Sequence, residues 1–513
     1  MKLALSSMIS EIDKYMSEVK GVPIPELVDR SGEAIYKFVC DNISTEKRIL
    51  ILAGSGNNGA DGYSLAIKLL GKYTVTVYDV FGCGPKCKIG RELYDKFVRL
   101  GGKVIAYEPG EASRAFIKSA GCIVDAIFGT GFCGEVPKLI EELSVAVRES
   151  TDSYKIAVDV PLGINADNGS VSDFAISVDA TVVLSFLKPG IISYPARSYV
   201  GRIVFDSIGI DECEISEKFD FRYHMIDEEW VRKSLPRRPE NSHKGCFGKL
   251  LMITGSKRYR GAAHLSLEAG LRGGAGLVSF VGEGELCEEL MQKFPEAIYK
   301  PINTVSQINE SEIEEILKLD KSHTVTLIGS GSDNTEGLLK LTSTLLASEG
   351  GALILDADAI NVLSMLGKEG IERLKNAKRT VVLTPHPLEL ARLTGIDVSY
   401  LQLNRLSVAE NFARETGVIL VLKGAGTIVT NGEDVYINTV ATSALAKAGS
   451  GDVLAGLIAS LLAGKSHDAI KCEAMAVYFH SKAGENLARE YSDYGVTPSD
   501  LPREIGRQIQ KIQ

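Results

Sequence analysis

The chain alternates. Short runs rich in β-branched and other apolar residues are separated by segments of helical periodicity, and this happens in two successive series. In the first, apolar runs at residues 48–53, 74–80, 121–127, 155–160, 180–186 and 201–207 are interleaved with helical patterns such as 61–70 and 90–100. Strand–helix alternation implies a mainly parallel sheet with helices on both faces. The second series has runs at 249–255, 277–281, 324–328, 352–356, 380–383, 418–423 and 426–430. After its first strand comes GAAHLSLEAGLRGGAG, whose small residues allow a helix to approach a sheet or another helix closely. Between the two series lie an acidic break, DECEISEKFDF at 211–221, and an irregular stretch with Pro236 and Pro239. The halves share a class but no obvious repeat. Two different α/β domains are expected, 1–212 and 225–513, joined near residues 212–224. Each is large enough to bury a core without disulfide staples.

Composition narrows the function. The chain is 45% hydrophobic and 24% charged, which excludes whole-chain disorder. A formal net charge of −9 argues against broad electrostatic binding to nucleic acid. No run approaches the apolar length of a membrane span, and the first twenty residues carry no secretory pattern. The 9 cysteines are scattered and odd in number, which suits a reducing cytoplasm. Cys83 and Cys87 read as free thiols, since no second Cys/His pair lies near them to complete a zinc site. Glycine is in surplus, 51 residues in 513, against an ordinary share of roughly 7%. The excess belongs in turns, tight packing or loops that approach a ligand.

One such loop is RILILAGSGNNGAD at 48–61: a buried strand to Ala53, glycines at 54, 56 and 59, and a helix expected to start near Asp61. A helix N-terminus at the carboxyl edge of a parallel sheet suits anions and nucleotides. GxGxxG is a weak signal alone, and the acid about twenty residues on could be Asp79. A ligand-free glycine turn is the plain alternative for this stretch. Two further strand ends carry Asp125 and Asp159, with Pro161 and Gly163 after the latter. Asn58, Asp125 and Asp159 together offer an oxygen-rich edge suited to a monovalent cation or sugar hydroxyls; the plainer reading makes the aspartates caps.

NNGAD, VDAIFGTGFCG, AVDVPLGINADNG and LSFLKPG together resemble the N-terminal domain of the bifunctional NAD(P)H-hydrate repair enzymes, over nearly all of residues 1–210. The resemblance implies a Rossmann-like, three-layer NAD(P)H-hydrate epimerase domain with bound potassium. It places Asn57, Asn58, Gly59, Ala60 and Asp61 against the hydrated nucleotide. It wraps the phosphates with Gly129, Thr130, Gly131, Phe132, Cys133, Gly134 and Glu135. Asp159 contacts the substrate and is the catalytic candidate. Potassium falls to Asn58 and Asp125, and to Leu162 by backbone alone. Two departures stand out: Ala60 replaces the usual glycine, and Leu162 replaces the serine of Pro-Ser-Gly.

The second half carries NTVATSALAKAGSGDVLAG at 438–456. Gly449 and Gly451 flank Ser450, and Asp452 opens an apolar helix. Backbone N–H groups there can form an anion hole for a transferring phosphoryl group. An aspartate beside it can take the proton of an attacking hydroxyl. A capped helix is the plain alternative. The sequence GxxxxGK[ST] is absent, so a P-loop mechanism is excluded. Other strand-end motifs accompany it: LKGAGT, LTPHPLEL with His386 between prolines, LDADAIN and GSGSD.

HKGCFG, GSKRYRGAA, GSGSD, LDADAIN, LTPHPLEL, LKGAGT and AKAGSGDVLAG, in that order, resemble the ADP-dependent NAD(P)H-hydrate dehydratase domain over about 225–505. This implies a ribokinase-like α/β fold that phosphorylates the S-hydrate and then eliminates phosphate. Asp452 would activate the hydroxyl, with Gly449, Ser450 and Gly451 as the anion hole. Lys423, Gly424, Ala425, Gly426 and Thr427 would contact ADP. Ala262 or Ala263, Gly331 and His386 would contact the hydrate. GSGSD and Leu388 depart from the family pattern. The resemblance further implies potassium for the first domain, magnesium with ADP for the second, NAD(P)H-hydrate and ADP as ligands, a cytoplasmic homo-oligomer, and no nucleic-acid or membrane partner. The competing reading is a ribokinase-like kinase of a small alcohol or vitamin precursor, fused to a non-catalytic nucleotide-binding module.

Overall fold

The buried apolar runs become strands because each can be covered on both faces. A computed structural model describes residues 1–131, 137–464 and 468–513. The chain divides into two compact units, Lys2–Tyr223 and His224–Gln513, with Met1 grouped with the second.

In the first unit, seven strands form one sheet: β1 (Arg48–Ala53), β2 (Thr74–Asp79), β3 (Lys103–Ala106), β4 (Cys122–Ala126), β5 (Tyr154–Val158), β6 (Ala180–Leu184) and β7 (Arg202–Asp206). Their order is β3-β2-β1-β4-β5-β6-β7, and every neighbouring pair is parallel. The two faces of β1 feed different cores. Ile49, Ile51 and Ala53 join one cluster, while Leu50 and Leu52 join the other. That is the period-2 alternation of a strand buried on both sides. Each such side chain contributes roughly 1.5–3 kcal/mol by leaving water. Helices α1 (Ser6–Glu18), α2 (Ile24–Asn42) and α3 (Asn57–Leu69) bury apolar residues in the first cluster.

The direction of strand addition reverses between β1 and β4. Parallel sheets bind ligands at the carboxyl ends of such a switch point. Here those ends are the loops after Ala53 and Ala126, which the register places side by side.

The second unit has β8 (Lys249–Ile253), β9 (Leu277–Glu283), β10 (Ile298–Ile302), β11 (Val325–Ile328), β12 (Ala352–Leu355), β13 (Val381–Leu383), β14 (Ile419–Leu422), β15 (Ile428–Thr430) and β16 (Val435–Asn438). They run in the order β16-β15-β14-β13-β12-β11-β8-β9-β10. From β14 to β10 all pairs are parallel, and the last two pairs, through β15 and β16, are antiparallel. The switch point falls between β8 and β11, where Gly255 N–H donates to the Ser330 carbonyl at 2.7 Å.

Helix α4 (Arg260–Arg272) packs closely against α6 (Ser450–Ala463). A Cβ on Gly456 would sit 2.2 Å from the Ser266 carbonyl oxygen, so the expected close approach needs that glycine. Helices α5 (Pro387–Thr394) and α7 (Ala469–Gly495) complete the elements used below. Among the described residues, no helix is long and apolar enough to cross a membrane, and the cysteines are free thiols.

Candidate active sites

Glycine forces the two switch-point loops of the first unit together. A Cβ on Gly54 would lie 1.9 Å from the Ile127 carbonyl oxygen, and one on Gly59 would lie 1.9 Å from that of Gly54. The helix α3 starts at Asn57, not near Asp61 as the sequence suggested. Gly56 caps it in extended backbone, with no side-chain cap bond. Asn57, Asn58, Gly59, Ala60 and Asp61 therefore form the first turn, where helical N–H groups lack intrahelical partners. Asn57 is exposed, Asp61 half-buried, and the three between them buried.

Asn58 Nδ2 donates to the Phe128 carbonyl at 2.8 Å. Its Oδ1 lies beside Gly129, at 3.4 Å from where a Cβ would be. Asp125 is 1% exposed. Its carboxyl accepts the Ile127 N–H at 3.2 Å and the Leu162 N–H at 2.7 Å. Burial pushes it up to about 7, against those two bonds. A buried carboxyl without a cationic partner is a costly arrangement that a bound cation would relieve. The oxygens of Asn58 and Asp125 fit a monovalent ion in donor type. Leu162 brings no side-chain ligand, and its carbonyl already accepts the Ile176 N–H at 3.2 Å. Thr130 is half-buried and Gly131 exposed. Phe132, Cys133, Gly134 and Glu135 lie outside the described residues.

Asp159 follows β5 with a positive φ of 65°. Its Oδ1 accepts the Leu184 N–H at 3.2 Å and the Lys188 ammonium. Lys188 is 1% exposed and donates also to the Leu184 carbonyl at 2.9 Å. Two more carboxyls share this field. Asp13, on α1, is pushed up to about 6 by burial, with Lys188 opposing and Asp159 adding. Asp61 is pushed well above the carboxylate range by burial and by Asp159 and Asp13, against the Ser31 hydroxyl and Lys188. One buried lysine thus faces three acids. Asp79 is spoken for, accepting the Gly84 N–H at 2.7 Å.

In the second unit, four neighbouring strand ends converge on Asp356, which is 1% exposed. It accepts Ser330 Oγ at 2.7 Å, Thr384 Oγ1 at 2.6 Å and Lys423 Nζ at 3.0 Å. Those donors follow β11, β13 and β14, while Asp356 itself follows β12. A Cβ on Gly451 would lie 3.3 Å from Lys423 Nζ, so the ammonium also abuts the glycine turn. That turn begins α6 at Ser450, capped by Gly449 with φ 99°. Asp452 sits in the first turn. Burial and then Asp356 push its carboxyl up to about 7, with Lys423 pulling the other way.

The supports of the site come from elsewhere in the chain. His480, on α7, places Nε2 3.0 Å from the Ser450 carbonyl and 3.2 Å from its hydroxyl. Burial lowers this imidazole to about 4, so it is neutral. Gly424 has φ 138°, and a Cβ there would meet Arg405 Nη1 at 2.7 Å. Arg405 is buried and donates to the Lys423 carbonyl at 3.2 Å. Burial lowers it to about 10. Thr427 Oγ1 closes the loop on the Gly424 carbonyl at 2.9 Å. Ala425 is exposed and Gly426 buried within this loop.

His386 is a helix cap. Its Nδ1 accepts the Glu389 N–H at 3.1 Å, while Glu389 accepts the His386 N–H at 2.8 Å. Gly331 rests against α4, where a Cβ would be 2.6 Å from that of Ala262. Ala263 is fully buried, so Ala262 is the half-exposed one of the pair. Among the described residues, no group of three His, Cys, Asp or Glu could hold a metal ion.

Both units match known families. Residues 250–507 match the family described as NAD(P)H-hydrate dehydratase, and residues 25–190 match the YjeF-related protein N-terminus. A bifunctional NAD(P)H-hydrate repair enzyme Nnr of Moorella thermoacetica is 32% identical over 98% of this chain and 95% of that protein. This chain belongs to the bifunctional NAD(P)H-hydrate repair enzymes. The Escherichia coli relative is 30% identical over 95% of this chain and 90% of its own. A solved ADP/ATP-dependent NAD(P)H-hydrate dehydratase of Bacillus subtilis, co-crystallized with ATP/Mg2+, is 28% identical, covering 56% of this chain and 99% of that one at a TM-score of 0.49.

Relatives that align along the whole chain favour the repair reading over a kinase fused to an inert module. In this member of the repair family, sequence reasoning passed over Asp13, Lys188, Arg405 and His480, and gave Asp356 no role. Lys188 alone had a local signal, a lysine inside the apolar run LSFLKPG.

Proposed function

We propose that this chain repairs hydrated NAD(P)H in two steps: epimerisation of the R and S hydrates in the first unit, and ADP-dependent dehydration of the S form in the second. The observation that carries the reading is Asp452. Its carboxyl is poised near neutrality, beside a glycine turn and a lysine held by Asp356.

In the dehydratase step, Asp452 takes the proton of the hydrate's hydroxyl as its oxygen attacks the terminal phosphoryl group of ADP. An O–P bond forms, the bond to AMP breaks, and N–H groups of the Gly449–Ser450–Gly451 turn neutralise the equatorial oxygens. Phosphate then leaves with its C–O electrons while a proton departs from the adjacent carbon, restoring the dihydronicotinamide. Hydroxide is a poor leaving group and phosphate a good one, so a kinase-like site suits a dehydration. Magnesium bound to the nucleotide phosphates would screen their charge.

In the epimerase step, the hydrated carbon carries both oxygen and ring nitrogen. Inversion there breaks and remakes one of those bonds while a proton is taken up and returned. Asp159, held by Lys188, is assigned the proton transfer, and Asp61, whose neutral form is favoured by desolvation and by Asp159 and Asp13, is the complementary acid. Asn58 and Asp125 would hold potassium, whose charge would order the neighbouring loop against phosphate. Potassium is expected to raise the melting temperature over an equal concentration of sodium, and Asp125→Asn to abolish the difference. An identical melt in both salts would count against that site.

The whole reading is tested by incubating the protein with mixed R and S hydrates of NADH and ADP, following absorbance at 340 nm. Both epimers are expected to return to NADH. Failure to recover NADH from either would sink it.

A further inference from the structure

We propose that the adenosine half of the hydrate is held in a second, polar cavity of the dehydratase unit, with Lys257 and Arg258 contacting its phosphates. This rests on the dehydratase reading above and names where the rest of that substrate lies.

The cavity measures about 520 Å³ and opens at the carboxyl ends of β8, β9 and β10. Its walls include Gly255, Lys257, Arg258, Glu283, Thr304 and Ser332. Topology separates it from the loop assigned to ADP. Lys423 follows β14, two strands to one side of β12, where Asp356 sits. Strands β8 and β9 lie two and three positions to the other side. At about 4.8 Å per strand, the cavity begins roughly 10–15 Å from Asp356 along the sheet edge. Two nucleotides can therefore approach Asp452 from opposite directions. The hydrate's path is continuous: Gly331 packs on Ala262, and the next residue, Ser332, is a wall of the cavity.

The lining selects the ligand. The volume lies within the range of small-molecule sites and would house a nucleoside phosphate. Few of its walls are apolar, so a hydrocarbon or an amphipathic helix does not fit. Lys257 and Arg258 are exposed. Among the described residues neither has a carboxylate within ion-pair distance, whereas Arg260 is bound by Glu285 and Glu289. Arg258 lies over the Tyr259 ring at 5.0 Å, which leaves its N–H groups, like the Lys257 ammonium, able to bind an anion. Ser332 is 2% exposed, and its buried hydroxyl has no hydrogen-bond partner. Buried polar groups seldom stay unpaired, so a ligand acceptor there is favoured. Glu283 accepts Thr304 Oγ1 at 2.8 Å through one oxygen. Its other oxygen suits ribose hydroxyls. Asp333 also lines the cavity, and its N–H donates to Asp358 Oδ2 at 2.9 Å, so two cations balance two acids and a phosphate is favoured at the Lys257–Arg258 end alone.

The test compares the S-hydrate of NADH with the S-hydrate of reduced nicotinamide mononucleotide, which lacks the adenosine half. ADP-dependent steady-state kinetics are run on the wild type, on Lys257→Ala/Arg258→Ala and on the charge-preserving Lys257→Arg/Arg258→Lys, each checked by thermal melt. The wild type is expected to have the lower KM for the dinucleotide. The alanine variant should raise that KM about tenfold, as loss of charge-assisted phosphate bonds predicts, so that it approaches the mononucleotide value. The charge-preserving variant should keep the wild-type preference. An unchanged preference in the alanine variant, or equal KM changes for both hydrates, overturns the subsite while leaving the dehydratase reading intact. Turnover of neither hydrate by the wild type removes both.

Discussion

The proton affinity of Asp452 is set by its surroundings. Burial and the neighbouring Asp356 disfavour its charged form, and Lys423 opposes them, leaving the carboxyl at about 7. Only the ionised form can accept the hydroxyl proton, and it predominates above that value. Dehydration should therefore fall as pH drops through 7, by about tenfold per pH unit below it. Lys423 stabilises the carboxylate, so Lys423→Met should move this acidic limb to higher pH as well as lowering the rate. Rate profiles with saturating ADP would check both; a limb near pH 4 would show that the site leaves the carboxyl at its ordinary value. In the first unit, Lys188→Met strips Asp159 of its cation and leaves only the Leu184 N–H. Epimerisation should fall by roughly 10²–10⁴-fold, with dehydration of the S-hydrate kept, as measured by separate epimer assays. Sequence showed Asp452 and Asn58 because each stands beside its glycines in a local motif. Asp13 was hidden because it lies in α1 among Glu11, Lys14 and Glu18, where one charge of several reads as part of a solvated face. Arg405 and His480 were hidden because they act on loops that only the fold brings to them.

At the scale of elements most strands were legible, including the exposed β7 at the end of its sheet, while β3, β10 and β16 were passed over. Strand β3 has no fully buried residue, and β10 has one and contains Pro301. Both lie beside a single neighbour at the ends of their sheets, where the apolar alternation fades and proline is tolerated. The hairpin to β16 did carry a signal, Asn431-Gly432, flanked by apolar residues. Helix α3 began four residues earlier than expected because Gly56 supplies its cap, and no Ser, Thr or Asp marks the start. The cost of disturbing that start can be gauged at Gly59, where a Cβ would lie 1.9 Å from a backbone oxygen that cannot swing away. Gly59→Ala should destabilise the first unit by about 1–3 kcal/mol, lowering its unfolding transition by roughly 2–10 °C. Calorimetry with a parallel dehydratase assay would check this; an unshifted transition would mean that the loop relaxes at no cost.

At the scale of the molecule, each unit carries its own set of strand-end loops, and no residue assigned to one site belongs to the other. The glycine surplus is distributed accordingly. Gly54, Gly56, Gly59 and Gly129 shape the first site, and Gly331, Gly424, Gly449 and Gly451 shape the second. Only one epimer fits a chiral dehydration pocket, so R-hydrate must be inverted before it can be repaired. That order predicts complementation between two isosteric variants. Asp159→Asn should dehydrate the S-hydrate but leave R-hydrate to its slow spontaneous inversion. Asp452→Asn should equilibrate the epimers without forming NADH. An equimolar mixture should convert R-hydrate to NADH, because the S-hydrate released by one molecule is a substrate for another. The mixture should also show a lag, which shortens as total protein rises and the shared intermediate reaches steady state sooner. Recovery of NADH from R-hydrate only with the wild-type chain, at every protein concentration, would refute free exchange of the intermediate. It would require instead that the hydrate pass between the two sites of one molecule without being released.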